Sequence, residues 1–150
     1  MTSARILVVD DEIDLCDTIR LGLVLEGFQV DAVYDGFTAL GAVRANPPDL
    51  IILDVMLPHR NGYEVSRMIK EDVARGVYPQ PIPIIILTAR VLDSGEREEF
   101  VMNWSQADAH MYKPFELSAL VAKVKQLLAT QEQSSVTAPQ QLQEAVAEVS

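Results

Sequence analysis

Leu50-Ile51-Ile52-Leu53-Asp54 is the stretch that decides the fold. Its four apolar residues do not alternate with polar ones. A continuous run of this kind reads as a strand buried on both faces, the habit of parallel sheets. Asn46-Pro47-Pro48 stops the segment before it, because proline cannot continue a helix. The same form recurs on either side. Ile6-Leu7-Val8-Val9 runs into Asp10-Asp11-Glu12, and Ile84-Ile85-Ile86-Leu87 runs into Thr88-Ala89. Phe28 to Tyr34 reads as a second strand, and Ala107 to Tyr112 as a weak fifth. Helix-period stretches lie between them, from about Ile13 to Glu26, Phe37 to Ala45, Gly62 to Arg75, Gly95 to Trp104 and Glu116 to Ala129. Gly27 stands where a helix C-terminus favours glycine. A β-α unit repeated five times predicts an α/β fold, a parallel sheet covered by helices. Ligands of such sheets bind beyond the C-terminal ends of the strands.

Composition narrows the function classes. Twelve Lys and Arg against 22 Asp and Glu leave a net charge of −10. That balance disfavours a nucleic-acid surface, which carries a basic stripe. It also disfavours adhesion to an anionic membrane. Cys16 is the single cysteine, so no internal disulfide forms, and a reducing, cytoplasmic location is expected. No apolar run approaches the ~18 residues that span a bilayer, and the N-terminus lacks the form of a signal peptide. The tail from Gln131 to Ser150 has no Lys or Arg, is rich in Gln, Ser, Val and Ala, and contains Pro139. It is expected to be a linker or a short docking helix, with Leu142, Ala145, Val146 and Val149 as its stripe.

The residues after the strands carry the chemistry. Asp10-Asp11-Glu12, Asp54, Thr88-Ala89 and Lys113-Pro114-Phe115 fall on one sheet edge and can converge. Clustered carboxylates repel one another without a cation. A hard divalent ion such as Mg2+ suits oxygen ligands and leaves water positions for a phosphate. One carboxylate can then attack a phosphoryl group, while the ion and an ammonium neutralise its oxygens. Each residue alone has a plainer reading, as helix cap or turn former. The set in this order does not.

In these motifs the sequence resembles a response regulator receiver domain, the phosphoacceptor half of a two-component system, over about Ala4 to Thr130. The carriers are Ile6 to Glu12, Leu53-Asp54-Val55-Met56-Leu57-Pro58 with Asn61-Gly62, Leu87-Thr88-Ala89, and Lys113-Pro114-Phe115. The resemblance implies a flavodoxin-like, doubly wound (βα)5 fold with strand order 2-1-3-4-5, a receiver over 1–130 and a tail over 131–150. It implies Asp54 as phosphoacceptor and Mg2+ (or Mn2+) held by Asp11, Asp10, Asp54 and the backbone carbonyl of Met56. Lys113 bonds the phosphoryl group, its bond to Pro114 is cis, and Thr88 swings toward the phosphate. The expected partners are a histidine kinase or phosphotransfer protein, and a downstream protein on the face of the fourth helix, fifth strand and fifth helix. The domain is expected to be a switch rather than a turnover enzyme.

The sequence departs from the family at two places. His110 stands three residues before Lys113, where the family often has Tyr or Phe, while Tyr112 directly precedes the lysine. His110 is either a half-exposed strand residue or a switch residue titrating near neutral pH. Strand alternation places Tyr112 on the same face. Asn103-Trp104-Ser105-Gln106 replaces an Ala-Gly turn. Trp104 either covers the core edge or faces a partner, and Glu96, Glu98 and Glu99 read as a solvated helix face. Cys16, with no basic neighbour, reads as core packing. About 20 residues follow the fifth helix, too few for a helix-turn-helix module. Three rival readings stand beside the receiver: a haloacid-dehalogenase-like phosphatase, which needs a second Asp where Met56 stands; an unphosphorylated scaffold; and the receiver part of a longer regulator.

Overall fold

The computed structural model describes residues 3–89 and 95–131. Five strands, β1 (Arg5–Val9), β2 (Gln29–Val33), β3 (Leu50–Asp54), β4 (Ile84–Ala89) and β5 (Ala109–Lys113), form one sheet. The order is β2-β1-β3-β4-β5, and every neighbouring pair is parallel. The helices are α1 (Ile13–Leu25), α2 (Gly36–Ala45), α3 (Gly62–Ala74) and α4 (Gly95–Ser105). A fifth, α5, covers residues 117–131, so Gln131 continues the helix rather than opening the tail. The remainder of the tail, and the side chain of Glu96, lie outside the described residues.

Burial follows the apolar runs. Every residue of β3 is buried, and so is β4 up to Thr88, whereas the edge strands β2 and β5 are mostly half-exposed. That gradient explains why the fifth strand is weak in sequence: an edge strand packs fewer neighbours and tolerates polar residues. The sheet separates two apolar layers. On one face Val9, Ile51, Leu53 and Ile86 pack against Leu40, Val43, Val65 and Ile69 of α2 and α3. On the other, Ile6, Val8, Ile52 and Ile85 meet Cys16, Ile19 and Leu23 of α1 and Leu120 and Val124 of α5.

Local signals set the helix ends. Gly27 has φ +94°, its N–H donates to Val24 O, and Phe28 N–H donates to Leu23 O. This is the two-bond glycine cap expected after α1. Asp35 caps α2 through Thr38 N–H at 2.7 Å. Asn61 caps α3 through Glu64 N–H at 3.0 Å. The turn after α4 is different: Gln106 sits at φ +62°, a conformation that favours glycine and costs a side-chain-bearing residue ~1 kcal/mol.

Candidate functional site: an acidic cluster at the sheet's switch point

The strand order reverses between β1 and β3, where doubly wound sheets place their ligand crevice. The carboxylates at the C-terminal ends of these two strands meet there. One oxygen each from Asp10, Asp11 and Asp54 lies within 4.8 Å of the others. Asp10 and Asp54 are buried, at 0% and 4% exposure, while Asp11 is exposed. α1 leaves these acids available. Its cap residue, Glu12, makes no side-chain cap bond, and Asp10 Oδ1 instead accepts Glu12 N–H at 2.9 Å.

Lys113, at the end of β5, is the counter-charge. Its Nζ donates to Asp10 Oδ2 at 3.0 Å and lies 3.4 Å from Asp54 Oδ1 and 3.8 Å from Glu12 Oε1. Among the described residues one ammonium faces two buried carboxylates, so compensation is incomplete. Burial pushes the Asp54 carboxyl up from 3.8 to about 6, and the neighbouring Asp10 charge adds to this. Lys113 and the Met56 N–H pull the other way without cancelling it. For Lys113, burial pulls the ammonium down, but the bond to Asp10 and the charges of Asp54, Asp10 and Glu12 outweigh it, so its pKa is raised. The Lys113–Pro114 peptide bond is cis.

The β3–α3 loop is built around the backbone of Asp54. Gly62 N–H donates to Val55 O at 2.9 Å. A Cβ on Gly62 would lie 2.1 Å from Asp54 O and 2.9 Å from its carbonyl carbon. No side chain fits there, and the obstacle is backbone. Gly62→Ala is expected to destabilise the fold by about 3 kcal/mol, at the upper end of overpacking effects. Urea denaturation measures this, and a variant within 0.5 kcal/mol of the parent sinks the assignment. Met56 is 74% exposed beside the carboxylates.

Thr88, the last buried residue of β4, donates its hydroxyl to Ala89 O at 3.2 Å. In the β4–β5 ladder Thr88 pairs with Tyr112, and His110 pairs with Ile86. Tyr112 rather than His110 therefore stands level with Thr88. His110 is exposed, its ring edge-on to Tyr112 at 5.4 Å. The Tyr112 hydroxyl donates to Glu98 of α4. No sequence signal points to this bond: Glu98 reads as part of a solvated acidic face, yet it is half-buried. The available signal was the tyrosine itself, since a partly buried phenol seeks a partner.

Trp104 belongs to neither apolar layer. It is 37% exposed beneath the Arg67 guanidinium, 5.0 Å from its ring centre. Cys16 is buried, and its thiol donates to Asp10 O at 3.3 Å. Burial pushes it up to about 11, so it stays a protonated packing group.

Comparison with known proteins gives a consistent result. The family model for the response regulator receiver domain matches residues 6–125. The DNA-binding response regulator MtrA of Mycobacterium leprae is 39% identical over 122 residues, 81% of this chain and 49% of that protein. Response regulator ArlR of Staphylococcus saprophyticus is 36% identical over 132 residues, 88% of this chain and 56% of that one. This chain thus spans about half the length of the curated relatives it matches. A CheY-like receiver domain protein from Methanospirillum hungatei superposes with TM-score 0.75 at 28% identity, covering 89% of this chain and 99% of that one. DrrB, an OmpR/PhoB homologue of Thermotoga maritima, gives 0.72 at 29% identity, covering 86% and 54%.

Proposed function

The chain belongs to the response regulator receiver domain family, and from that premise we propose that residues 1–130 are a phosphoacceptor switch with Asp54 as nucleophile. The convergence of Asp10, Asp11, Asp54 and Lys113 at one sheet edge carries this reading. An Asp54 carboxylate oxygen attacks the phosphorus of a phosphohistidine on a kinase or phosphotransfer protein. The P–O bond to Asp54 forms as the P–N bond breaks, and the imidazole leaves with the bonding pair. Lys113, 3.4 Å from Asp54 Oδ1, donates to a phosphoryl oxygen and offsets its growing charge. Thr88 then gives up its bond to Ala89 O and donates to the phosphoryl group.

The donor set fits a divalent ion. Three carboxylates share the site, and the nearby ammonium leaves a net negative charge. Asp10, Asp11, Asp54 and the Met56 carbonyl would hold Mg2+ or Mn2+. When bound, the ion supplies charge neutralisation on the phosphoryl oxygens. The rival phosphatase reading needs a general acid two places after Asp54, and the exposed Met56 occupies that place.

The phosphorylated domain signals through a protein surface on α4, β5 and α5. Nucleic-acid contact by the acidic receiver itself is not part of the proposal. A cytoplasmic location suits the single reduced thiol. The half-length match to curated relatives favours a variant of the same function, in which residues 131–150 lead to an output domain. The intact mass of the protein taken from its native cell separates the two.

The test of the site is intact mass after incubation with acetyl phosphate and Mg2+. One phosphoryl adduct is expected, absent from Asp54→Ala and from a chelator control. An adduct that persists in Asp54→Ala overturns the assignment.

A further inference from the structure

We propose that the Tyr112–Glu98 hydrogen bond is a latch that holds α4 on β5 while Asp54 is unphosphorylated, and that its release carries the phosphoryl state to α4. The proposal rests on the receiver reading above.

The two ends of α4 are held differently. At its C-terminal end, Ser66 Oγ donates to Ser105 O at 2.9 Å and Arg67 Nη1 donates to Trp104 O at 2.9 Å. The Arg67 guanidinium also covers the Trp104 ring. These contacts fix that end to α3. Glu98 lies about two helical turns earlier, where it accepts the Tyr112 hydroxyl from β5. A solvent-open groove of about 490 Å³ runs between α4 and β5, bordered by Glu98, Met102, Ala109, His110 and Tyr112. This groove leaves α4 room to turn about its α3 attachment.

Tyr112 is placed to sense the site. It pairs with Thr88 in the ladder, and its neighbour Lys113 pairs with Ala89 and holds the carboxylates. His110 lies edge-on to the Tyr112 ring at an interplanar angle of 84° and backs it from one side. A phosphoryl group on Asp54 draws on the Thr88 hydroxyl, now bound to Ala89 O at 3.2 Å, and on Lys113. Both adjustments fall on immediate neighbours of Tyr112: Thr88 across the β4–β5 ladder and Lys113 next to it in β5. The task that a Tyr or Phe at position 110 would perform by changing rotamer is here given to a hydroxyl–carboxylate bond two residues later.

A bond made in only one of two states couples them reciprocally. If phosphorylation opens the latch, opening the latch promotes phosphorylation. Tyr112→Phe keeps the ring and its contact with His110 and removes the hydroxyl. It is expected to raise phosphoryl occupancy at limiting acetyl phosphate about fivefold. It also raises amide exchange in α4 of the unphosphorylated protein to the level the parent reaches only when phosphorylated. Glu98→Ala gives the same result. Glu98→Gln retains an acceptor and stays close to the parent. Intact mass and amide exchange on the whole chain read both quantities. Faster α4 exchange with unchanged occupancy makes the bond a structural tie only and overturns the latch, as does no change in either. A parent protein that takes up no phosphoryl group overturns the receiver reading, and the latch with it.

Discussion

Asp54→Asn takes up no phosphoryl group, and without divalent ions it is more stable than the parent. The two effects share one origin. Asp54 is 4% exposed and shares a crevice with the fully buried Asp10 and the Lys113 ammonium. Its carboxyl is therefore pushed from 3.8 to about 6. The sign follows from linkage. An acid whose pKa is higher in the fold than in the unfolded chain destabilises the fold once ionised. The penalty is complete above about pH 6 and absent below about 3.8. At pH 7 a shift of this size corresponds to about 3 kcal/mol. An amide accepts less well beside Lys113 than a carboxyl group, so the expected gain is about 2 kcal/mol. Urea denaturation in the presence of a chelator measures it. The gap between variant and parent should close as pH falls from 7 to 4. Added Mg2+ should narrow it at pH 7, because the ion stabilises the parent more. A variant less stable than the parent at pH 7, or a gap that widens on acidification, would falsify the crowded-carboxylate account.

The same crowding explains how much was legible in the sequence. The central strands were legible because burial on both faces leaves little but Ile, Leu and Val at 50–53 and 84–87. The acids were legible because a parallel sheet aligns the ends of its strands, so Asp10 and Asp54 converge without any signal beyond position. The less legible features are side-chain pairings between elements far apart in the chain. Nothing in Gly95–Ser105 marks Glu98 off from Glu99, yet only the former turns toward β5 to meet Tyr112. Trp104 fits a core edge by composition, but Arg67, 37 residues away in sequence, supplies its cover. The role of His110 turns on register. Alternation places it on the same face as Tyr112, and the two rings touch, but the ladder sets Tyr112 opposite Thr88 and leaves His110 two pairs back. Pairings of this kind depend on how far each strand extends, and strand ends are what periodicity fixes least well.

Lys113→Met should lower stability and remove phosphoryl uptake together. The substitution keeps an apolar stem of similar length and deletes only the charge. Asp10, at 0% exposure, then loses its 3.0 Å bond, and Asp54 loses its nearest cation. Removing one partner of a buried ion pair typically costs 3–5 kcal/mol, because the remaining charge is left unpaired. Lys113 is only 20% exposed and serves two buried acids, so about 3 kcal/mol is expected in metal-free buffer at pH 7. Its own pKa is raised in the fold. Its stabilising effect is therefore complete below its unfolded pKa and is lost only as pH rises through the folded value, so all of it is present at pH 7. Acidification reduces the deficit of the variant by protonating Asp54, whose carboxyl is already pushed up in the fold. Mg2+ should recover more stability in the variant than in the parent, since the ion takes over the missing charge. Uptake from acetyl phosphate should not recover with it. The ammonium is the donor aimed at the phosphoryl oxygens, and losing such a donor lowers rates by about 100-fold or more. A variant that regains stability with Mg2+ and phosphorylates at the parental rate would show that Lys113 serves the fold alone. The double variant Lys113→Met with Asp54→Asn separates the terms. If repulsion between Asp10 and Asp54 is what Lys113 offsets, neutralising Asp54 restores most of the lost stability while leaving uptake at zero.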